Sequence, residues 1–188
     1  MTELTPTGRV ILGMIHKGKR TGYDIKALVD RSTRFFWAAS YGQIYPELKR
    51  LEAGGLVRAS APEGGRRRTE YELTEAGEQA LRDWITSDAE LTYEVRDEGL
   101  LKFFFGEAVT PAEMREQLEA MAAKQEAIVA SLRELEPVAA PPEGEEPGFG
   151  YLTLLGGVEF HEFMAGWCRR MQDLMTEREE RSDAAQAR

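Results

Sequence analysis

Seven residues between Met114 and Leu135 place the tightest constraint on what this chain can fold into. Met114, Leu118, Met121, Gln125, Ile128, Leu132 and Leu135 are spaced 4, 3, 4, 3, 4 and 3 apart, a heptad seam with one polar member. Such residues share one side of a helix, and that side needs a partner helix to cover it. Thr110-Pro111-Ala112-Glu113 just upstream is a capping box with proline at the first helical position, so a helix is predicted from there to about Leu135. A second stripe follows. Phe160, Phe163, Met164, Trp167, Met171, Leu174 and Met175 form one broad apolar face on a helix predicted from about Tyr151 to Arg178. Between the two, Glu136 to Gly150 holds four prolines and three glycines and reads as a flexible linker. Two helices can cover each other, but faces this wide are expected to bury against a second subunit as well. Met114, Leu118, Met121, Ile128, Leu132, Phe160, Met171 and Leu174 are the candidate dimerisation residues.

This region is one half of a chain divided by charge. The net charge of 188 residues is −9. Residues 1–75 contain 13 Lys+Arg against 9 Asp+Glu, net +4, and the remainder carries net −13. A basic first part suits a polyanionic partner, and an acidic second part discourages indiscriminate binding to nucleic acid. No apolar run approaches the ~18 residues that span a membrane. The start of the chain has neither the basic nor the apolar region of a signal peptide. The single cysteine, Cys168, excludes an intramolecular disulfide. A cytoplasmic setting is expected.

The basic part reads in order as helix, helix, helix, hairpin, helix. Thr5 and Pro6 open a first helix to His16. Lys17 to Gly22 form a basic loop, and Tyr23 to about Val29 a second helix. Phe35-Phe36-Trp37 in the next connection are expected in the core, because adjacent large rings need burial. Ser40 and Gln43 form a cap for the third helix, on which Ile44, Leu48 and Leu51 share a face while Gln43, Tyr45, Lys49 and Arg50 fall mostly on the other. Gly54-Gly55 end it. Leu56 to Ser60 is read as a strand, Pro62 to Gly65 as a turn followed by Arg66-Arg67-Arg68, and Thr69 to Leu73 as a second strand with period-two alternation. Thr74 caps a fourth helix. The predicted fold is mainly α: a winged helix-turn-helix domain over residues 1–87 and a helical domain over 88–180, with a disordered tail at 181–188. In that plan the third helix enters the major groove.

Particular residues carry a resemblance. Gly22-Tyr23-Asp24-Ile25, Ser40-x-x-Gln43-Ile44-Tyr45-Pro46-x-Leu48-x-Arg50-Leu51, Gly55-Leu56-Val57 and Arg67-x-x-x-Tyr71-x-Leu73-Thr74-x-x-Gly77 resemble the PadR family of bacterial transcriptional regulators. Arg96-Asp97-Glu98-x-Leu100-Leu101-Lys102-x-Phe104-Phe105-Gly106 resembles the start of the long helical C-terminal domain of its larger members. The resemblance implies a homodimeric repressor of a pseudo-palindromic operator, released by a small effector, often aromatic. Gly42 departs from the bulkier residue expected there.

The expected DNA contacts follow from chemistry. Lys19, Arg20, Lys49, Arg66, Arg67 and Arg68 supply cations for phosphate. Gln43 can pair with adenine, and Arg50 or Lys49 with guanine. Ser40 and Tyr41 suit phosphate at the helix start, and Tyr45 either touches the backbone or supports the helix from the side. An arginine run is usually a solvated turn; its place at a wing tip favours the DNA reading. Pro46 implies either a helix that begins nearer Gln43 or a kink. Trp84, Phe104, Phe163 and Trp167 are candidates for an effector pocket, although core packing explains most such aromatics.

Enzyme chemistry has little to stand on. No nucleophile-elbow, zinc-binding, phosphate-loop or dinucleotide pattern occurs. Glu159, His161, Glu162 and Cys168 invite a metal reading, but no paired-ligand spacing supports it. No metal or cofactor is expected. The rival to a DNA-binding repressor is a dimeric helical adaptor whose winged domain binds protein.

Overall fold

A computed structural model describes residues 4–33, 36–60, 68–88 and 96–186, and the chain divides into two compact units, Met1–Leu91 and Thr92–Arg188. In the first unit the order is α1 (Pro6–His16), α2 (Gly22–Arg31), α3 (Tyr41–Ala53), β1 (Val57–Ser60), β2 (Glu70–Leu73) and α4 (Glu75–Ile85). β1 and β2 pair antiparallel, with Val57 opposite Leu73 and Ser60 opposite Glu70. Helix starts are set by short polar side chains. Thr5 accepts from the Gly8 amide at 2.9 Å, Thr21 from Asp24 at 3.1 Å and Thr74 from Gly77 at 3.1 Å.

The end of α3 shows why a glycine stands at position 55. The Leu56 amide reaches back to the Leu51 carbonyl and the Gly55 amide to that of Glu52, each at 2.9 Å, while Gly55 takes φ +70°. This closure uses the left-handed conformation that glycine adopts at low cost, and it turns the chain directly into β1. Ile11, Leu12, Ile25, Val29, Ile44, Leu48 and Leu51 join Val57, Tyr71 and Leu81 in one core beneath α3. The Tyr71 amide donates to the Arg20 carbonyl at 2.7 Å, and Thr21 bridges Glu70, so the α1–α2 loop lies along the hairpin edge.

Two expectations are corrected here. Phe36 and Trp37 do not join the core, being 62% and 40% exposed, while Phe35 lies outside the described residues. The Phe36 and Trp37 amides both return to the Thr33 carbonyl just past α2, and their rings stay largely outside the core. Helix α3 begins at Tyr41 and continues through Pro46, which has no amide hydrogen to offer the Gly42 carbonyl.

The second unit comprises α5 (Glu98–Phe104), a 3₁₀ turn (Gly106–Ala108), α6 (Pro111–Ala139) and α7 (Phe149–Gln186). Asp97 caps α5 through the Leu100 amide at 3.0 Å. Thr110 and Glu113 form the predicted capping box of α6. The helices run longer than the sequence suggests. α6 passes through Pro137 to Ala139, and α7 passes Arg178 to Gln186, so the linker reduces to 140–148 and residues 181–186 are helical.

α6 and α7 fold back as an antiparallel hairpin. Met114, Leu118 and Ala122 of α6 pack with Cys168 and Met175 of α7, flanked by Phe103, Met121, Trp167 and Met171. Arg133–Glu162 at 2.5 Å, together with the pairs Arg115–Glu179 and Glu126–Arg169, ties the two helices at three levels. Gln125, the polar member of the seam, meets His161 Nδ1 at 2.5 Å. The seam's partner is therefore α7 of the same chain. Met114, Leu118 and Leu132 are buried within this hairpin, which corrects their assignment as dimerisation residues. Met121, Ile128 and Met171 are half-buried along the same contact.

Candidate nucleic-acid interface

The exposed side of α3 carries Tyr41, Gly42, Gln43, Tyr45, Pro46 and Lys49, while Ile44, Leu48 and Leu51 hold the other side in the core. The rings of Tyr41 and Tyr45 stack with centroids 6.2 Å apart, and Lys26 Nζ lies 5.6 Å from the Tyr41 centroid. Lys26, Asp30, Ala38, Ala39, Ser40, Tyr41 and Gln43 frame an open hollow of about 560 Å³ at the start of α3. Lys49 projects from the exposed side with no ion-pair partner among the described residues.

Gln43 has a local task. Its Oε1 accepts from the Ser40 amide at 2.9 Å and from the Ser40 hydroxyl at 3.0 Å. Two-fold pairing with adenine needs that same oxygen. Gln43 can read a base in this way only if the cap opens.

Arg50 is placed differently from expectation. Its Nε and terminal nitrogen hold the Glu47 carboxylate at 2.9 and 2.7 Å, three residues back on the side facing α1. Glu47 also accepts from the Thr5 hydroxyl at 2.5 Å. The Arg50 guanidinium beside it keeps the Glu47 carboxyl below its ordinary range, against the opposing effect of burial. Arg50, about a third exposed, is thus engaged by Glu47, and a contact to guanine would have to compete with that ion pair.

The hairpin adds further cations. Arg20 and Arg58 share the Glu72 carboxylate at 2.5 and 3.2 Å. Arg58 joins the expected cations from β1; its signal in the sequence is the strand alternation that leaves Val57 buried and Arg58 exposed. Arg68 places its guanidinium 4.1 Å from the Tyr23 ring centroid, a distance typical of cation–π contact. Arg66 and Arg67 lie outside the described residues. Lys19 is half-buried beside this edge.

The four aromatic effector candidates divide between the units, Trp84 in the first and Phe104, Phe163 and Trp167 in the second. Trp84 is partly exposed on α4, with the Arg9 guanidinium 5.7 Å from its centroid. In the second unit Trp167 meets Phe103 edge-on at 5.1 Å in the hairpin core, whereas Phe104 and Phe163 are exposed. His161 is engaged by Gln125 and Glu162 by Arg133, and Cys168 is fully buried among apolar side chains.

Comparison with known proteins gives two matches that between them cover both units. Residues 11–83 match the model of the transcriptional regulator PadR-like family, and residues 95–176 match that of the virulence activator alpha C-terminal region. The negative transcriptional regulator PadR of Bacillus subtilis is 32% identical over 164 residues, spanning 84% of this chain and 90% of that one. The structure of B. subtilis PadR with operator DNA superposes with a TM-score of 0.79 at 30% identity, covering 89% of this chain and 97% of the other. Its structure with p-coumaric acid gives 0.75 with the same identity and coverage.

Proposed function

The chain belongs to the PadR-like family of transcriptional regulators, a non-enzymatic family, and from that premise we propose that it is a cytoplasmic, homodimeric repressor of a pseudo-palindromic operator. The observation that carries this reading is the exposed side of α3, where Tyr41, Tyr45 and Lys49 stand clear of the core beside the cations of the hairpin. The first unit supplies the DNA contacts: Lys49, Lys19 and Arg68 for phosphate, with Ser40 and Tyr41 at the helix start, and Arg58 added from β1. Arg20 contributes once phosphate competes with Glu72 for it.

The second unit joins the subunits. α7 carries two apolar faces where the sequence suggested one. Met164, Cys168 and Met175 turn toward α6, while Leu152, Phe160, Phe163 and Leu174 are exposed within an arc of about 80°. A stripe about 33 Å long on a helix already partnered on its other side suits the same stripe of a second copy. Since B. subtilis PadR has been crystallised with p-coumaric acid, a phenolic acid is the effector class proposed here.

The test is fluorescence anisotropy against a duplex selected by the protein from a randomised pool, over a range of salt. A repressor binds it with log affinity falling linearly in log salt, and a phenolic acid reverses binding. An adaptor whose winged unit recognises protein selects no duplex.

A further inference from the structure

Apolar packing sets how deeply a helix sits, but it is non-directional and fixes roll and slide weakly. Recognition of base edges needs a helix held to within about 0.5 Å and 10–20°. Some directional contact has to supply that precision for α3. Among the described residues the one charged side chain that is buried is Glu47, 9% exposed, on the side of α3 turned to α1.

We infer that Glu47 is the positioning residue of α3, a carboxylate latch that fixes the roll of the DNA-facing helix against the first turn of α1. Its two oxygens take Nε and one terminal nitrogen of Arg50 from the same helix, a two-point contact that locks the carboxylate plane. Oε1 then takes the Thr5 hydroxyl at 2.5 Å. Thr5 is also the N-cap of α1, accepting the Gly8 amide at 2.9 Å, so one hydroxyl joins the start of α1 to α3. The negative charge stands at the N-terminus of α1, where the helix dipole favours it. Gly8 completes the fit: a Cβ there would lie 2.6 Å from Glu47 Oε1, so the close approach exists because that position has no side chain. At about 100° per residue, Tyr45 and Lys49 stand about 160–200° around α3 from Glu47. Rotation about the latch therefore swings both exposed residues.

This inference rests on the DNA-binding reading, and its test separates the two. The probes are the duplex that wild-type protein selects from a randomised pool and a shuffled duplex of the same length and composition. Glu47→Gln preserves shape while removing the charge. Thr5→Asp preserves an N-cap side chain but offers no proton to Glu47 at neutral pH; Thr5→Ser restores the hydroxyl. The expected result is that Glu47→Gln and Thr5→Asp lose about 10-fold or more in the ratio of selected to shuffled affinity, comparable to the loss of one base contact. Affinity for the shuffled duplex and its salt slope stay within about two-fold, because the phosphate contacts remain. Thr5→Ser retains the wild-type ratio. If Glu47→Gln fails to fold, the Thr5 pair decides. An unchanged ratio in folded variants, or equal loss on both duplexes, overturns the latch while leaving the repressor reading intact. Failure of the wild-type protein to select any duplex overturns both.

Discussion

The ring of Tyr45 occupies the space a side chain at Gly22 would need: a Cβ there would lie 2.7 Å from Tyr45 Cε1. Gly22 is the first residue of α2, and Tyr45 lies midway along α3, so an absent side chain on one helix seats a half-exposed ring of the other. In the sequence these two residues belong to separate motifs, and the fold joins them. Gly22→Ala should push the ring outward with little harm to the core. Stability measured by denaturant should change by less than about 1 kcal/mol, since alanine is otherwise a good helix residue. Affinity for the selected duplex should fall several-fold by anisotropy. A larger loss of stability than of binding would place Tyr45 among structural residues only.

Gly77 has less freedom. A Cβ there would stand 1.9 Å from the Leu56 carbonyl oxygen, which already accepts from the Thr74 amide at 3.1 Å. Backbone held on both sides cannot yield as a ring can. Gly77→Ala is expected to cost about 2–3 kcal/mol in urea or thermal unfolding. Gly13→Ala is the control: a Cβ at that helical position meets nothing within 4 Å and should be neutral or stabilising by up to about 1 kcal/mol.

The Glu47 carboxyl, held below its ordinary range chiefly by Arg50, links stability to pH. A carboxylate with a depressed folded value stabilises the fold fully above its unfolded value of about 4.3. That contribution is lost as pH falls toward and through the folded value. Wild-type protein should therefore lose stability below about pH 4.3 more steeply than Glu47→Gln, and the two unfolding curves, measured by circular dichroism, should converge in acid. Parallel curves would mean that the ion pair contributes nothing.

Cys168 is fully buried, and burial, aided by Asp97, raises its thiol above the ordinary range. Reaction requires thiolate at the surface. Native protein should resist a disulfide reagent at neutral pH and react promptly in denaturant, read as absorbance of the released thiol. Rapid reaction in the native state would show that the α6–α7 hairpin opens readily.

Phe163 lies at the centre of the exposed α7 stripe and is 61% exposed. Phe163→Glu should leave the helical content of the chain unchanged while weakening self-association at least 10-fold in sedimentation, because a charge would be buried unpaired between copies. Leu152→Glu, toward one end of the stripe, should do less.

Much of this protein is determined by local sequence. Helix starts at Thr5, Ser40, Thr74, Asp97 and Thr110 depend on side chains that reach amides no more than three residues away, so they are legible residue by residue. The Gly54-Gly55 stop and the alternation of the second strand are local for the same reason. Family membership was legible because these short motifs occur together in order.

What the tertiary structure decided are the choices that depend on what lies opposite a residue. Met114, Leu118 and Leu132 present the same heptad whether the covering helix belongs to this chain or another; the return of α7 settles them inside. The apolar residues of α7 form one broad band on paper, and only α6 packed against it divides the band into buried and exposed faces. Arg50 sits among basic and polar residues that read as a DNA face, yet the Glu47 carboxylate, itself held by the Thr5 hydroxyl, engages it on the side facing α1. Periodicity reports which residues share a side of a helix. It does not report what that side meets, because the meeting partner can be 42 residues away, as Thr5 is from Glu47.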